Sequence, residues 1–313
     1  MSVAFTFPGQ GSQAVGMGKA LAETFPGARA VFDEVDAALA EKLSAIIFEG
    51  PQETLTLTQN AQPALMAVSL AATRALASQG INIGDKVAYV AGHSLGEYSA
   101  LAAAGSLSVQ DAARLLRLRG IAMQRAVPVG VGAMAALIGL DLDAVQQVVG
   151  EAAQGDLCEA ANDNGGGQVV VSGMRAAVER AVELAKARGA KRAVLLPVSA
   201  PFHCALMAPA AEEMAGALAD TNLAAPVVPV VANVTAQPTR DPVEIRKNLV
   251  AQVTGMVRWR ESVAWLASSG VTLLAEVGAG RVLSGLAKRI ASDVETLNIG
   301  TPAEIDAAAA RLA

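Results

Sequence analysis

Gly92-His93-Ser94-Leu95-Gly96 follows the pattern G-x-S-x-G, between the apolar run Val87–Ala91 and the Ala/Leu-rich stretch Ser94–Ala104. Read as strand, sharp turn and helix, the segment lifts a serine hydroxyl above a sheet edge, where it can attack a carbonyl carbon. The two glycines permit the strained turn. The plainer reading is a βα turn whose serine caps the helix. A serine hydroxyl is barely ionised near neutral pH and needs a base. The chain has two histidines, His93 and His203. His93 adjoins Ser94, and consecutive side chains on such a segment point apart, so it reads as structural. His203, in Ser199-Ala200-Pro201-Phe202-His203-Cys204, is the expected base, with Cys204 a small buried neighbour.

No Asp or Glu stands in a motif that would make it the third member of a triad. A backbone carbonyl or a side-chain amide can orient the second imidazole nitrogen instead, stabilising imidazolium less than a carboxylate would. Gln252, before Val253-Thr254-Gly255, is the candidate for that role. The first apolar run, Val3–Phe7, ends in Pro8-Gly9-Gln10-Gly11-Ser12-Gln13, on the side where open α/β sheets build their sites. No Gly-Lys-Ser/Thr follows, so this is not a phosphate-binding loop. An oxyanion hole needs two preorganised N–H donors. Leu95 supplies one by its place after the nucleophile, and Gln10 is the candidate for the other. Arg114, Arg117 and Arg119 share one helical stretch. Any of them could clamp a substrate carboxylate with its planar fork, and residue type does not choose among them.

The scaffold for these residues is legible in composition and pattern. Of 313 residues, 53% are hydrophobic and 17% charged, which excludes a disordered chain. Aromatics are only 3%, as expected of small-residue helices packed closely on a sheet. A net charge of −5 argues against a general nucleic-acid binder, although a local basic patch would still let such a chain meet an acidic partner. Two cysteines without paired spacing, and no recognisable signal peptide, point to a reducing, cytoplasmic setting. The longest apolar stretch, Val127–Leu140, is too short for a membrane span and contains Pro128, Gly130 and Gly132.

In the first part, short β-like runs alternate with helical stretches at Lys19–Phe25, Arg29–Ala40 and Ala64–Ser78, the last introduced by Pro63. Such alternation predicts an α/β domain with a largely parallel, covered sheet. Residues 128–198 then read β-α-β-β-α-β, the ferredoxin-like order. Its strands are expected at Ala133–Leu140, Leu157–Ala161, Gln168–Ser172 and Lys191–Leu196, with Asn162-Asp163-Asn164-Gly165-Gly166-Gly167 as a turn. The α/β pattern resumes with strands at Val227–Ala232 and Thr272–Glu276 and helices at Val243–Gln252, Arg260–Ser269 and Arg281–Ile290. A discontinuous domain, 1–127 with 199–313, thus carries an inserted subdomain, 128–198.

Taken together, Pro8-Gly9-Gln10-Gly11-Ser12-Gln13, Gln62-Pro63-Ala64-Leu65, Gly92-His93-Ser94-Leu95-Gly96-Glu97 and Phe202-His203-Cys204-Ala205-Leu206-Met207 resemble the malonyl-CoA:acyl carrier protein transacylases of bacterial fatty-acid synthesis. The resemblance runs through essentially the whole chain, with polyketide synthase acyltransferases as more distant relatives. It implies an α/β-hydrolase-like core with a ferredoxin-like insertion, and ping-pong transfer of malonyl from malonyl-CoA to a carrier protein's phosphopantetheine thiol. Carried over by position, it implies Ser94 as the acylated residue, His203 as base, and the Gln10 and Leu95 amides as oxyanion hole. It further implies Arg119 as the residue binding the malonyl carboxylate, and the Gln252 main-chain carbonyl as the group orienting the histidine. It implies no metal or cofactor, no nucleic acid or membrane, and a monomer. Phe202 stands where many bacterial members have a small residue and resembles malonate-selecting polyketide acyltransferases. Gly278-Ala279-Gly280-Arg281 replaces the usual Gly-Pro-Gly-Lys, a change expected to alter loop stiffness rather than chemistry. The competing functions are a serine hydrolase or thioesterase on the same dyad, a polyketide acyltransferase, and a silent carrier-protein-binding module.

Overall fold

The apolar run Val3–Phe7 forms strand β1, buried along its whole length. In the computed structural model, which describes residues 1–313, it lies near the middle of a six-stranded sheet. Helices α1 (Lys19–Thr24), α2 (Pro26–Leu39), α3 (Leu43–Glu49), α4 (Gln52–Thr56), α5 (Thr58–Ser78) and α6 (Ile83–Lys86) follow. Strand β2 (Tyr89–Gly92) then returns parallel to β1, and α7 (Gly96–Ala103) and α8 (Val109–Ala126) continue from it. Strands covered on both faces need apolar residues throughout, which is why these runs do not alternate.

Next come β3 (Gly132–Ile138), α9 (Leu142–Ala153), β4 (Cys158–Asp163), β5 (Gln168–Met174), α10 (Arg175–Ala187) and β6 (Arg192–Leu195). Their sheet has the order β4-β5-β3-β6 with every neighbouring pair antiparallel, the ferredoxin-like arrangement. It packs α9 and α10 over an apolar cluster of its own, separate from that around α5. After a short 3-10 turn, Ala205–Met207, the chain adds α11 (Ala208–Asp220), β7 (Val230–Val231), β8 (Pro238–Thr239), α12 (Pro242–Thr254) and α13 (Trp259–Ser268). It closes with β9 (Leu273–Val277), α14 (Val282–Ile290), β10 (Glu295–Ile299) and α15 (Pro302–Leu312). The large sheet runs β10-β9-β1-β2-β7-β8, parallel except for β8. The mixed α/β fold with a parallel sheet and a separate antiparallel one is the one anticipated. No helix is long and apolar enough to cross a membrane.

Several elements differ from the sequence expectation for local reasons. Helix α5 starts at Thr58, so Pro63 lies inside it rather than at its first turn. Proline forfeits a backbone bond there, and burial of α5 against α2 and α8 offsets the loss. The helix after the serine turn starts at Gly96, because Ser94 has φ 53° and cannot be helical. Only Val230 and Val231 pair in β7, where a longer strand was expected; Pro226 precedes that run and Pro229 interrupts it. Asn162 and Asp163 belong to β4 rather than to a turn. Asp163 N–H donates to Val257 O at 2.9 Å and Val257 N–H to Ala161 O at 2.9 Å, tying the small sheet to the segment before α13. Helices α11 and α15 and strand β10 were not anticipated.

Candidate active site

Ser94 sits in the turn between β2 and α7, in the left-handed region at φ 53°. The two glycines of the turn are required by space as well as by backbone freedom. A Cβ on Gly92 would collide with the backbone of Gly96, and one on Gly96 with the carbonyl of Phe7 at the end of β1. The Ser94 side chain makes no capping bond to α7. Its Oγ lies 2.8 Å from His203 Nε2. His203 is likewise in the left-handed region, at φ 59°, so both partners carry backbone strain of the kind that the surrounding structure must enforce.

The tautomer of His203 follows from its second nitrogen. Nδ1 lies 2.9 Å from Gln252 O and 3.2 Å from Gly255 O, two groups that only accept, so Nδ1 carries the proton. Nε2 is left as the acceptor for the Ser94 hydroxyl. Gln252 lies in the last turn of α12, where carbonyls have no helical partner, and that negative helix end favours an imidazolium as it forms. Burial, and then the charge of Arg119, lower the His203 pKa to about 3, so the imidazole is neutral at physiological pH.

Of the three arginines on α8, Arg114 pairs with Asp111 and Arg117 with Glu41, both away from the serine. Arg119 is 1% exposed and makes no salt bridge; burial lowers its pKa, with Tyr98 and Glu97 nearby opposing that shift. Its guanidinium donates to Gln62 Oε1 at 2.7 Å, to Gln252 Oε1 at 2.8 Å and to Ser94 Oγ at 3.2 Å, and its Nε has no partner. The next residue sets this position. A Cβ on Gly120 would meet the Gln59 Cα at 2.5 Å, so α5 and α8 touch closely there and carry Arg119 against Gln62.

Gln62 Nε2 donates to Thr58 Oγ1 at 2.9 Å, and Thr58 Oγ1 donates to Gln10 Oε1 at 2.9 Å. That chain anchors the Gln10 side chain while its main-chain N–H, like that of Leu95, makes no intramolecular bond. Both residues line a cavity of about 470 Å³ together with Ser94, His203, Arg119 and Phe202. Phe202 lines the same cavity as the apolar residues Met123, Met134 and Val198. His93 Nε2 lies 2.8 Å from Asn164 Oδ1 and the ring packs on Trp259, so His93 lines the cavity without a hydrogen bond to Ser94 or His203. Cys204 is buried, with Sγ 3.2 Å from Pro201 O. No group of three His, Cys, Asp or Glu side chains converges as a metal site would require. A buried serine–histidine pair, free N–H donors beside it and an unpaired guanidinium at contact distance suit acyl transfer with an acidic acyl group.

The acyl transferase domain family matches residues 4–296. The chain belongs to the acyl transferase family. A malonyl CoA-acyl carrier protein transacylase of Escherichia coli K12 is 48% identical over 97% of this chain and 98% of its own. The crystal structure of an acyl-carrier-protein-S-malonyltransferase from Bartonella henselae is 60% identical with a TM-score of 0.98, covering 100% of this chain and 99% of that one. A malonyl-transacylase solved in complex with a type II PKS acyl-carrier protein is 43% identical with a TM-score of 0.96, covering 99% and 100%.

Within this acyl transferase site, the sequence singled out Ser94, His203, Gln10, Leu95, Arg119, Gln252 and Phe202; the fold brings six of them to one cavity and sets Gln252 against His203 and Arg119. It gave no part to Glu97, Asn233, Asn162 or Asn164. Asn162 and Asn164 line the cavity from a segment whose Asn-Gly composition reads as a turn. Asn233 follows the Pro-broken strand β7 and carries no local signal at all.

Proposed function

We propose that this acyl transferase moves a malonyl group from malonyl-CoA to the phosphopantetheine thiol of an acyl carrier protein, as the supply step of fatty-acid synthesis. The observation that carries the reading is Arg119, a buried guanidinium without an ion pair, 3.2 Å from the nucleophile. A carboxylate entering a water-excluded cleft must be paired, and a guanidinium offers two parallel hydrogen bonds. The names of the relatives, among them one solved with an acyl-carrier protein, support both donor and acceptor.

His203 Nε2 takes the hydroxyl proton as Ser94 Oγ attacks the thioester carbonyl. The Gln10 and Leu95 N–H groups stabilise the oxyanion. The C–S bond breaks, and the proton on Nε2 passes to the departing CoA thiolate. The carrier thiol then enters the same cleft and gives its proton to Nε2. Its sulfur attacks the malonyl ester, the C–Oγ bond breaks, and Ser94 regains its proton. Phe202 narrows the acyl end of the cleft. The cleft is lined both by the catalytic domain, residues 1–127 with 199–313, and by the inserted subdomain, residues 128–198.

Losing one partner of a buried charge pair costs roughly 2–5 kcal/mol. Arg119→Ala is therefore expected to lose malonyl transfer by at least about thirtyfold, at 1.4 kcal/mol per tenfold. Acetyl transfer falls little or rises, because acetate brings no charge to pair. Comparing kcat/KM for malonyl-CoA and acetyl-CoA on this variant tests the reading, and an equal fall for both acyl groups contradicts it.

A further inference from the structure

Glu97 stands in the first turn of α7 and is 2% exposed. A carboxylate at that depth is costly unless donors surround it. One of its oxygens, Oε2, accepts the Asn233 main-chain N–H at 3.1 Å and the Gln252 side-chain amide at 2.7 Å. Those two residues hold the nucleophile from both ends. Asn233 Oδ1 accepts the Ser94 N–H at 2.7 Å, and Gln252 Nε2 also donates to Ser94 O at 3.0 Å. Asn233 Nδ2 donates to Gly92 O at 2.6 Å, bracing the start of the same turn. The other end of the Gln252 amide, Oε1, accepts from Arg119. An acceptor at Glu97 forces Nε2 towards itself and Oε1 towards the guanidinium. The reversed amide would set Nε2 against the guanidinium N–H and Oε1 against the Glu97 oxygen.

We propose that Glu97 is the positioning residue of this site, one carboxylate oxygen fixing the strained Ser94 backbone and the rotation of Gln252 that holds Arg119 ready for a substrate carboxylate. The inference rests on the malonyl-transfer reading for its substrate. What the geometry asks of Glu97 is a correctly placed acceptor oxygen. Burial lifts its pKa to about 7 against the opposing pull of Gln252, Asn233 and Arg119, and in either protonation state Oε2 can accept both N–H groups.

Two conservative variants separate reach from charge. Glu97→Gln keeps the length and one acceptor oxygen but no charge. Glu97→Asp keeps the charge but is one C–C bond, about 1.5 Å, shorter, too short to hold both donors within roughly 3.2 Å. Melting curves establish that each variant is folded, and kcat is expressed per Ser94 that can be acylated. The expected result is that kcat of Glu97→Gln exceeds that of Glu97→Asp at least tenfold with both malonyl-CoA and acetyl-CoA. In Glu97→Asp the KM for malonyl-CoA also rises while that for acetyl-CoA stays, because only malonate uses Arg119. Equal kcat values in the two folded variants, or Asp surpassing Gln, overturn the proposal. Wild-type protein that takes up no malonyl group contradicts the function itself, whereas wild-type transfer with indistinguishable variants contradicts the positioning role alone.

Discussion

Ser94 and His203 meet with both backbones in the left-handed region, at φ 53° and 59°, and neither is a glycine. Strain of this kind persists only where other groups hold it. Here the holders are the Asn233 and Gln252 amides on the serine, and the α12 carbonyls on the histidine. In the proposed reaction the histidine can act as a base because its cavity keeps it neutral. Its pKa is lowered, so its neutral form persists to lower pH than an ordinary imidazole's, near 6.5. An acid limb of kcat/KM reports the free enzyme, and lowering the pKa moves that limb down in pH. With malonyl-N-acetylcysteamine, whose thiol arm carries no phosphate to titrate, kcat/KM is expected to stay level from pH 8 to pH 5. A limb with apparent pKa near 6.5 that persists when Glu97, whose pKa is about 7, is replaced by Gln contradicts a buried, neutral His203. The dyad was legible because only two histidines exist and one adjoins the serine. Residue type alone leaves Arg119 open among three arginines and only the family resemblance singles it out, although a further signal is present. It occupies the stripe Ala112, Leu115, Leu116, Arg119, Met123, where helical spacing puts core residues. An arginine in that stripe is a buried cation that needs a function.

At the scale of elements, the site depends on two close approaches made by glycine. Gly96 lets α7 lean on the end of β1, which lifts the serine turn, and Gly120 lets α8 touch α5. The atoms a Gly120 Cβ would meet are all backbone of Thr58 and Gln59, so no side chain can swing aside. Gly120→Ala must therefore separate the two helices, at roughly 1–3 kcal/mol for overpacking, offset in part by about 1 kcal/mol of helix propensity. The expected outcome is a lower melting temperature and a smaller preference for malonyl over acetyl, because Arg119 moves off Gln62. Unchanged selectivity in the folded variant contradicts this account of how α8 presents Arg119. The elements themselves were readable where hydrophobic runs are bounded by Gly or Pro, as in β1 and β2. Pro63 misled because a proline at a helix start and one buried within a helix look alike until the packing of α5 is known. The segment before Asn233 differs for the opposite reason, since Val227–Ala232 has strand residues but Pro229 within it limits its pairing to two positions.

At the scale of the molecule, the ferredoxin-like order was legible because its strands are local neighbours with a Gly-rich hairpin between β4 and β5. The large sheet was not, since β1 pairs with β9 about the full length of the chain away, and no local pattern specifies such a partner. That long-range pairing sets Gly278–Arg281 and α14 beside the Pro8–Gln13 loop, so the cleft is built from both ends of the sequence and from the inserted sheet. On the proposed reading such a cleft receives two thiol-bearing substrates in turn, and the central claim is that an acyl group rests on Ser94 between them. The most direct test is intact mass of the protein after malonyl-CoA, and again after adding carrier protein bearing its phosphopantetheine thiol, with Ser94→Ala alongside. The account predicts a gain of one malonyl group in the wild type alone, stable in buffer, and lost with equal gain by the carrier protein. A malonyl group that water removes without any carrier, or one that still appears on Ser94→Ala, would contradict it.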